Sequence, residues 1–191
     1  MKPTLLPPLL LPLLLAVPYV HAQQADAPAQ VLGATIDGVM AAVHADPAAA
    51  GDPDRTYDIV RQRFLPATDF MLTTQYAVGT AWNTATPAQR DALFKQFQTL
   101  LARTYALQLT QLQAQNTSFK YAPASSAAAN ANDTVVRTTV VTEGDTMPID
   151  YRLRKSAAGW RIYDINMMGA WMIQVYPVSY THLTLPTILR V

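Results

Sequence analysis

The sequence predicts an α+β domain, with N-terminal helices packed on one face of a twisted antiparallel sheet of about four strands. Two observations carry this. Apolar residues recur at a spacing near 3.6 from Val31 to about Gln113, and from Thr117 onward the period falls to two. Turn-forming clusters such as Glu143-Gly144-Asp145 and Ser156 to Gly159 separate the later segments.

The elements follow in order. Lys2 precedes an uncharged run from Leu5 to Val17 that holds eight leucines, and Val20-His21-Ala22 has the form of a cleavage site. Residues 1–22 therefore read as a secretory signal peptide, cleaved after Ala22 to leave Gln23 first. The run is too short for a spanning helix, which needs about 20 apolar residues, and Pro7, Pro8 and Pro12 interrupt it. Val31, Leu32, Ile36, Met40 and Val43 form the stripe of a first amphipathic helix, and residues 45–53 a Pro/Gly/Ala/Asp connection. A short helix follows from about Asp54 to Phe64, with Tyr57, Ile59, Val60 and Phe64 apolar. Thr68 or Asp69 can cap a third helix that runs to Val78 and ends at Gly79.

The strongest helix signal spans Pro87 to about Gln113. Thr86 and Gln89 make a T-x-x-Q capping box and Pro87 takes the first helical position. Leu93, Phe94, Phe97, Leu100, Leu101, Tyr105, Leu109 and Leu112 form its stripe. Phe119 and Tyr121 begin a strand, and residues 122–132 form a loop of Ala, Ser and Asn. Thr134 to Thr142 is β-branched almost throughout. Met147, Ile149, Tyr151 and Leu153 alternate with polar residues, as a half-buried strand requires. Trp160 to Asn166 supplies the last strand, and Met167 to Tyr176 reads as the start of a returning helix.

Composition narrows the chemistry. The 191 residues contain no cysteine and balance 14 Lys+Arg against 13 Asp+Glu, a formal charge of +1. Disulfide scaffolds and thiolate chemistry are excluded, and a dedicated nucleic-acid binder would carry a basic face. Between the two ends of the chain His44 is the one histidine, too few for a His/Cys metal site; its place at a helix end suits a dipole contact. No G-x-S-x-G, glycine-rich phosphate loop or EF-hand spacing occurs. Asp164, beside Tyr163, is open to two readings: a tuned general base in a small isomerase- or dehydratase-like pocket, or a structural partner of Arg152 or Arg161.

Large apolar side chains are abundant: Phe70, Met71, Tyr76, Trp82, Phe94 and Phe97 upstream, and Met147, Tyr151, Trp160, Ile165, Met167, Met168, Trp171, Met172 and Ile173 downstream. Met adapts to irregular volumes and aromatics line apolar pockets, so this set could form an ordinary core or the wall of a lipid-sized cavity. Arg152, Arg154, Lys155 and Arg161 form a basic cluster that could meet a headgroup or partner, or simply face solvent.

Several motifs occur in a familiar order. Phe97-Gln98-Thr99-Leu100-Leu101 with Thr104-Tyr105 resembles the F-x-x-L-L-x-x-T-Y run of the MlaC-type family, also described as toluene-tolerance or ABC-transporter auxiliary proteins. Phe70, Gly79-x-x-Trp82 and Thr84-x-x-Pro87-x-Gln89-Arg90 fall where its upstream pattern would lie. Ile149 to Leu153, Gly159 to Ile165 and Gly169-x-Trp171 match its downstream segments, although Met167-Met168 depart from the family's glutamate before the glycine. The resemblance covers residues 27 to 176.

What it implies is a periplasmic carrier, not an enzyme, with no cofactor beyond a bound phospholipid as cargo. Such a carrier would shuttle the lipid between an outer-membrane lipoprotein–porin complex and the inner-membrane Mla ABC transporter, maintaining outer-membrane lipid asymmetry. It further implies an apolar pocket between sheet and helices, with Phe70, Met71, Tyr76, Trp82, Phe94, Phe97, Leu101, Tyr105, Met147, Ile149, Tyr151, Leu153, Ile165, Met168 and Trp171 as candidates for its wall. Arg152, Arg154 and Arg161 are candidates for headgroup or partner contact.

The end of the chain departs from the family. Val178 to Thr187, back-translated, resembles a transposase-based sequencing adapter, so residues 178–191 read as a non-native tail on a lipid-binding domain spanning 23–177. The family also continues past Tyr176 with arginine, where this chain has Pro177. Without the two ends Lys2 and Arg190 are lost and the formal charge of +1 becomes −1. Intact-mass measurement of the exported protein is expected to find Gln23 at the N-terminus; a species retaining Met1 contradicts the leader reading.

Overall fold

The computed structural model describes residues 27–49, 51–113, 117–122 and 132–175, the side chains of 111–113 excepted. The readings of a leader at 1–22 and a tail at 178–191 fall outside these residues, as does most of the predicted 122–132 loop.

Six helices and five strands are described: α1 Pro28–Ala45, α2 Pro53–Arg63, α3 Phe70–Val78, α4 Ala81–Thr84, α5 Pro87–Gln113, β1 Ser118–Tyr121, β2 Asp133–Val141, β3 Thr146–Ser156, β4 Gly159–Met167, β5 Ala170–Trp171 and α6 Met172–Val175. The fold is α+β as the sequence predicts. The caps hold it at the expected places. The Thr86 amide donates to Gln89 Oε1 at 2.8 Å and the Gln89 amide to Thr86 Oγ1 at 3.3 Å. Asp69 accepts from the Leu72 amide at the head of α3, and Gly79 at φ 63° closes its other end.

The strands form one antiparallel sheet in the order β1-β2-β3-β4-β5. The fifth strand was not expected from the sequence. Met168 and Gly169 both take positive φ, 55° and 86°, and make a two-residue turn that folds Ala170–Trp171 back on Asn166–Met167. The returning helix therefore starts only at Met172, and Met172–Val175 is the part of it that is described.

Register puts Val136, Val140, Ile149, Tyr151, Leu153, Ile162 and Ile165 on one face. Val136 opposes Tyr151, Tyr151 opposes Ile165 and Leu153 opposes Ile162. Ile162 and Ile165 are three apart, an odd spacing that would send them to opposite faces of a regular strand. A bulge resolves this: Arg152 pairs with Asp164 but Leu153 with Ile162, leaving Tyr163 as the extra residue. Beside the bulge, β4 is also capped laterally. Thr68 bridges to Ile162, the Asp69 amide donates to the Ile162 carbonyl at 2.7 Å, and the Thr73 hydroxyl donates to the Tyr163 carbonyl at 2.7 Å. This covers part of an otherwise open sheet edge and anchors α3.

The core lies in two parts. The larger packs Leu32, Ile36, Val39 and Met40 of α1, Val60 and Phe64 of the α2 segment, and Ala102 and Ala106 of α5 on the inner sheet face. The smaller joins Phe70 and Ala77 of α3, Phe97 and Leu101 of α5, and Met172. Among the described residues no helix is long and apolar enough to cross a membrane. Leu153, fully buried at the centre of the larger cluster, is the sharpest test of this packing: Leu153→Ala should cost about 2–5 kcal/mol in denaturant unfolding, and a loss under about 1 kcal/mol would mean the sheet face is not covered as described.

Candidate functional site

The inner sheet face is not filled completely. A cavity of about 80 Å³ remains between it and the helices, bordered by Ile36, Val39 and Met40 of α1, Val60, Phe64, and Tyr105, Gln108 and Leu109 of α5, with Phe119, Ile149, Tyr151, Ile165 and Met167 from the sheet. The long, branched and aromatic side chains on the two layers meet at their tips, and the gap is what their shapes leave. Among the described residues none that borders it is a carboxylate, a histidine or a cation. Among the described residues no group of three or more His, Cys, Asp or Glu could hold a metal ion.

Of the fifteen residues expected to line a pocket, the structure brings Tyr105, Ile149, Tyr151 and Ile165 to this wall. Met147 and Leu153 point to the same face but pack into the core beside it, Leu153 with no exposure. Phe97 and Leu101 face the smaller cluster with Phe70, because α5 is long enough to turn its N-terminal half toward α3. Phe70, Met71 and Phe94 border a separate open groove with Arg161. Trp82 is buried at the α4–α5 corner, where Arg90 lies over its ring at 5.4 Å and donates to its carbonyl. Tyr76 is exposed and accepts a hydrogen bond from Arg154. Met168 is 83% exposed at the β4–β5 turn, where its positive φ points it away from the core. Trp171 lies on the opposite sheet face beneath the Arg152 guanidinium, 3.8 Å from its ring centroid.

Sequence reasoning missed α1 and α2 as walls. Their residues Ile36, Val39, Met40, Val60 and Phe64 stood out only as a helical stripe, and a stripe says what is buried without saying against what.

The arginine candidates are largely engaged in the fold. Arg154 pairs with Asp133 at 3.2 Å, and Asp133 also accepts from the Tyr163 hydroxyl at 3.0 Å. Burial and Asp133 push the Tyr163 phenol above its ordinary range, against the pull of Arg152 and Arg154. Arg152 pairs with Asp164 at 3.0 Å. Arg161 opposes Arg154 across the hairpin and borders the open groove.

Asp164 answers the two readings left open by the sequence. It is fully buried and does not border the cavity. Its carboxylate accepts from Arg152 and from the amides of Ile165 and Ile173, 3.0 and 3.1 Å away. It thus holds the bulge, the guanidinium over Trp171 and the first turn of α6 together, which is a structural task. Burial pushes its carboxyl above the usual carboxylate range, partly offset by the Ile173 amide, Arg152 and the Ile165 amide. A raised folded-state value means the native protein binds the proton more readily than the unfolded chain, so this group's contribution falls as pH rises through that value. Asp164→Ala should cost about 2–4 kcal/mol at pH 7, since it strands Arg152 and two amides. Relative to Asp164→Asn, the wild type should gain stability as pH drops from 7 toward 4; a relative loss over that range in denaturant titrations would reverse the assignment.

Comparison with known proteins agrees with this architecture. One solved structure, described as the phospholipid-binding protein from Ralstonia solanacearum in complex with a phospholipid, aligns with a TM-score of 0.74 and 36% sequence identity, over 81% of this chain and 86% of that one. The MlaC protein family matches residues 34–184, a range that extends past Pro177 through Thr184. That match includes α1 through α6 from its second turn onward, and with it every residue of the cavity wall: the chain belongs to the MlaC family.

Proposed function

We propose that this protein is a non-catalytic phospholipid carrier whose acyl chains enter the cavity between the inner sheet face and α1, α2 and α5. The observation that carries the reading is an apolar cavity at the centre of a fold whose solved neighbour is described in complex with a phospholipid. Transfer of one buried methylene from water contributes about 0.8 kcal/mol, so a long chain needs no covalent chemistry to be retained. At about 80 Å³ the cavity is smaller than the ~150 Å³ that accepts a benzene-sized guest. Loading therefore requires the walls to part. Met40 and Met167, with unbranched flexible side chains, suit a wall that must reshape.

Belonging to the MlaC family and a leader-like N-terminus favour a periplasmic location. On this reading the carrier passes phospholipid between the outer-membrane lipoprotein–porin complex and the inner-membrane Mla transporter, which maintains lipid asymmetry of the outer membrane and underlies toluene tolerance. Phospholipid is then cargo and no further cofactor is needed. The enzyme alternative built on Asp164 has no geometric support, because that carboxylate is saturated by three donors away from the cavity.

Native mass spectrometry of protein purified from a Gram-negative host tests the proposal. The wild type should carry a mass increment matching one diacyl phospholipid. Met40→Trp fills the cavity at a folding cost of about 1–3 kcal/mol and should remove the increment while the circular dichroism is kept. A folded Met40→Trp that retains lipid would contradict the placement, and a wild type that takes up no diacyl lipid from detergent would contradict the function.

A further inference from the structure

Three side chains with polar groups border the apolar cavity, and Tyr105 donates its hydroxyl to Met172. Tyr151 is 5% exposed and lies at the centre of the sheet between Val136 and Ile165; among the described residues its hydroxyl makes no hydrogen bond, and its electrostatic neighbour, the Tyr121 phenol, donates to Asp37 instead. Gln108 of α5 borders the same cavity, half-buried, and its amide makes no hydrogen bond among the described residues. Buried hydroxyls elsewhere in the fold are satisfied. Thr56 donates to the Ala49 carbonyl, Thr74 to Phe70, Thr138 to Ile149 and Tyr163 to Asp133. Burial raises the Tyr151 phenol well above its ordinary range, so it keeps its proton and remains a donor.

A buried donor without a partner is costly and uncommon in native structures, and it calls for a partner from outside the chain. Tyr151 O–H and the Gln108 amide N–H₂ are both donors, on opposite layers of one cavity. A cationic site for phosphate is not what they make, since none of the described residues at the cavity is a cation. Their complement is a neutral acceptor oxygen attached to an apolar body, with room for two donors on its lone pairs. An acyl carbonyl meets that description.

Resting on the phospholipid-carrier reading, we infer that Tyr151 and Gln108 form a polar subsite that hydrogen-bonds an acyl-ester carbonyl of the bound glycerophospholipid, making the cavity selective for ester-linked over ether-linked lipid. Apolar contact supplies the retention; the two donors fix how deep the chain sits and which linkage is accepted. Replacing the carbonyl by an ether methylene removes that acceptor and leaves the buried Tyr151 donor without it.

The test is a loading competition read in one native mass spectrum. Wild type is offered an equimolar mixture of dipalmitoyl phosphatidylethanolamine and its dihexadecyl ether analogue in detergent. The diester should be favoured about three- to tenfold, the range expected for one net hydrogen bond. Tyr151→Phe and Gln108→Leu should each move the ratio toward one, and the double variant should reach one. Tyr151→Phe removes only an oxygen that makes no hydrogen bond among the described residues, so its fold and melting temperature should be kept. A wild-type ratio of one, or a preference that survives in the double variant, overturns the subsite while leaving the carrier reading intact. Uptake of neither lipid by the wild type overturns both. Palmitic acid added as a third competitor separates the ester from a free carboxyl: if it displaces the diester from wild type but not from the double variant, the ester assignment falls.

Discussion

A sheet with one apolar face must bury that face, and among the described residues α1, α2 and α5 cover it. Val136, Val140, Ile149, Tyr151, Leu153, Ile162 and Ile165 project to one side. α1, α2 and α5 lie over them, and α5 leaves the sheet half-way along to pack with α3 and α6. Interiors otherwise close to crystal-like density, so the gap in the larger cluster lies where the side chains of helices and sheet meet without interdigitating fully. The cavity and its apolar lining follow from that one constraint.

The opposite sheet face does different work. The bulge at Tyr163 keeps both Ile162 and Ile165 on the inner face and turns Asp164 to the other side. There the carboxylate meets Arg152, which lies over Trp171, and the amide that opens α6. Met172 from that short helix accepts the Tyr105 hydroxyl at 2.7 Å, and Tyr105 borders the cavity from α5. A structural carboxylate is thus linked through Ile173 and Met172 to Tyr105 in the cavity wall. Replacing it would disturb the cavity without Asp164 ever touching a ligand.

Much of this was legible in the sequence because it is local. The T-x-x-Q box at Thr86–Gln89, Gly79 after α3 and the alternation of Met147 to Leu153 are each fixed by residues within one or two turns. Long-range facts were not. Phe97 and Leu101 share a stripe with Tyr105, yet only Tyr105 reaches the cavity, because a 27-residue helix passes from one core to the other. Met168 is apolar and near the last strand, but a positive φ at the hairpin turn exposes it. The α1 residues Ile36, Val39 and Met40 looked like an ordinary helical stripe, and nothing in their spacing says that the surface opposite is incomplete. The ordered motifs identified the family; the wall needed the packing.

Acyl chain is expected in the gap under α1 and not in the groove beside α3. A photoreactive benzophenone side chain can be placed singly at Phe119, a half-buried aromatic of the cavity wall, or at Met71, in the groove with Phe94 and Arg161. After loading with diacyl phosphatidylethanolamine and irradiation, intact-mass analysis reads the covalent adduct. A lipid-mass adduct is expected at position 119 and none at position 71. An adduct at 71 with none at 119 would place the lipid outside the cavity and contradict that placement.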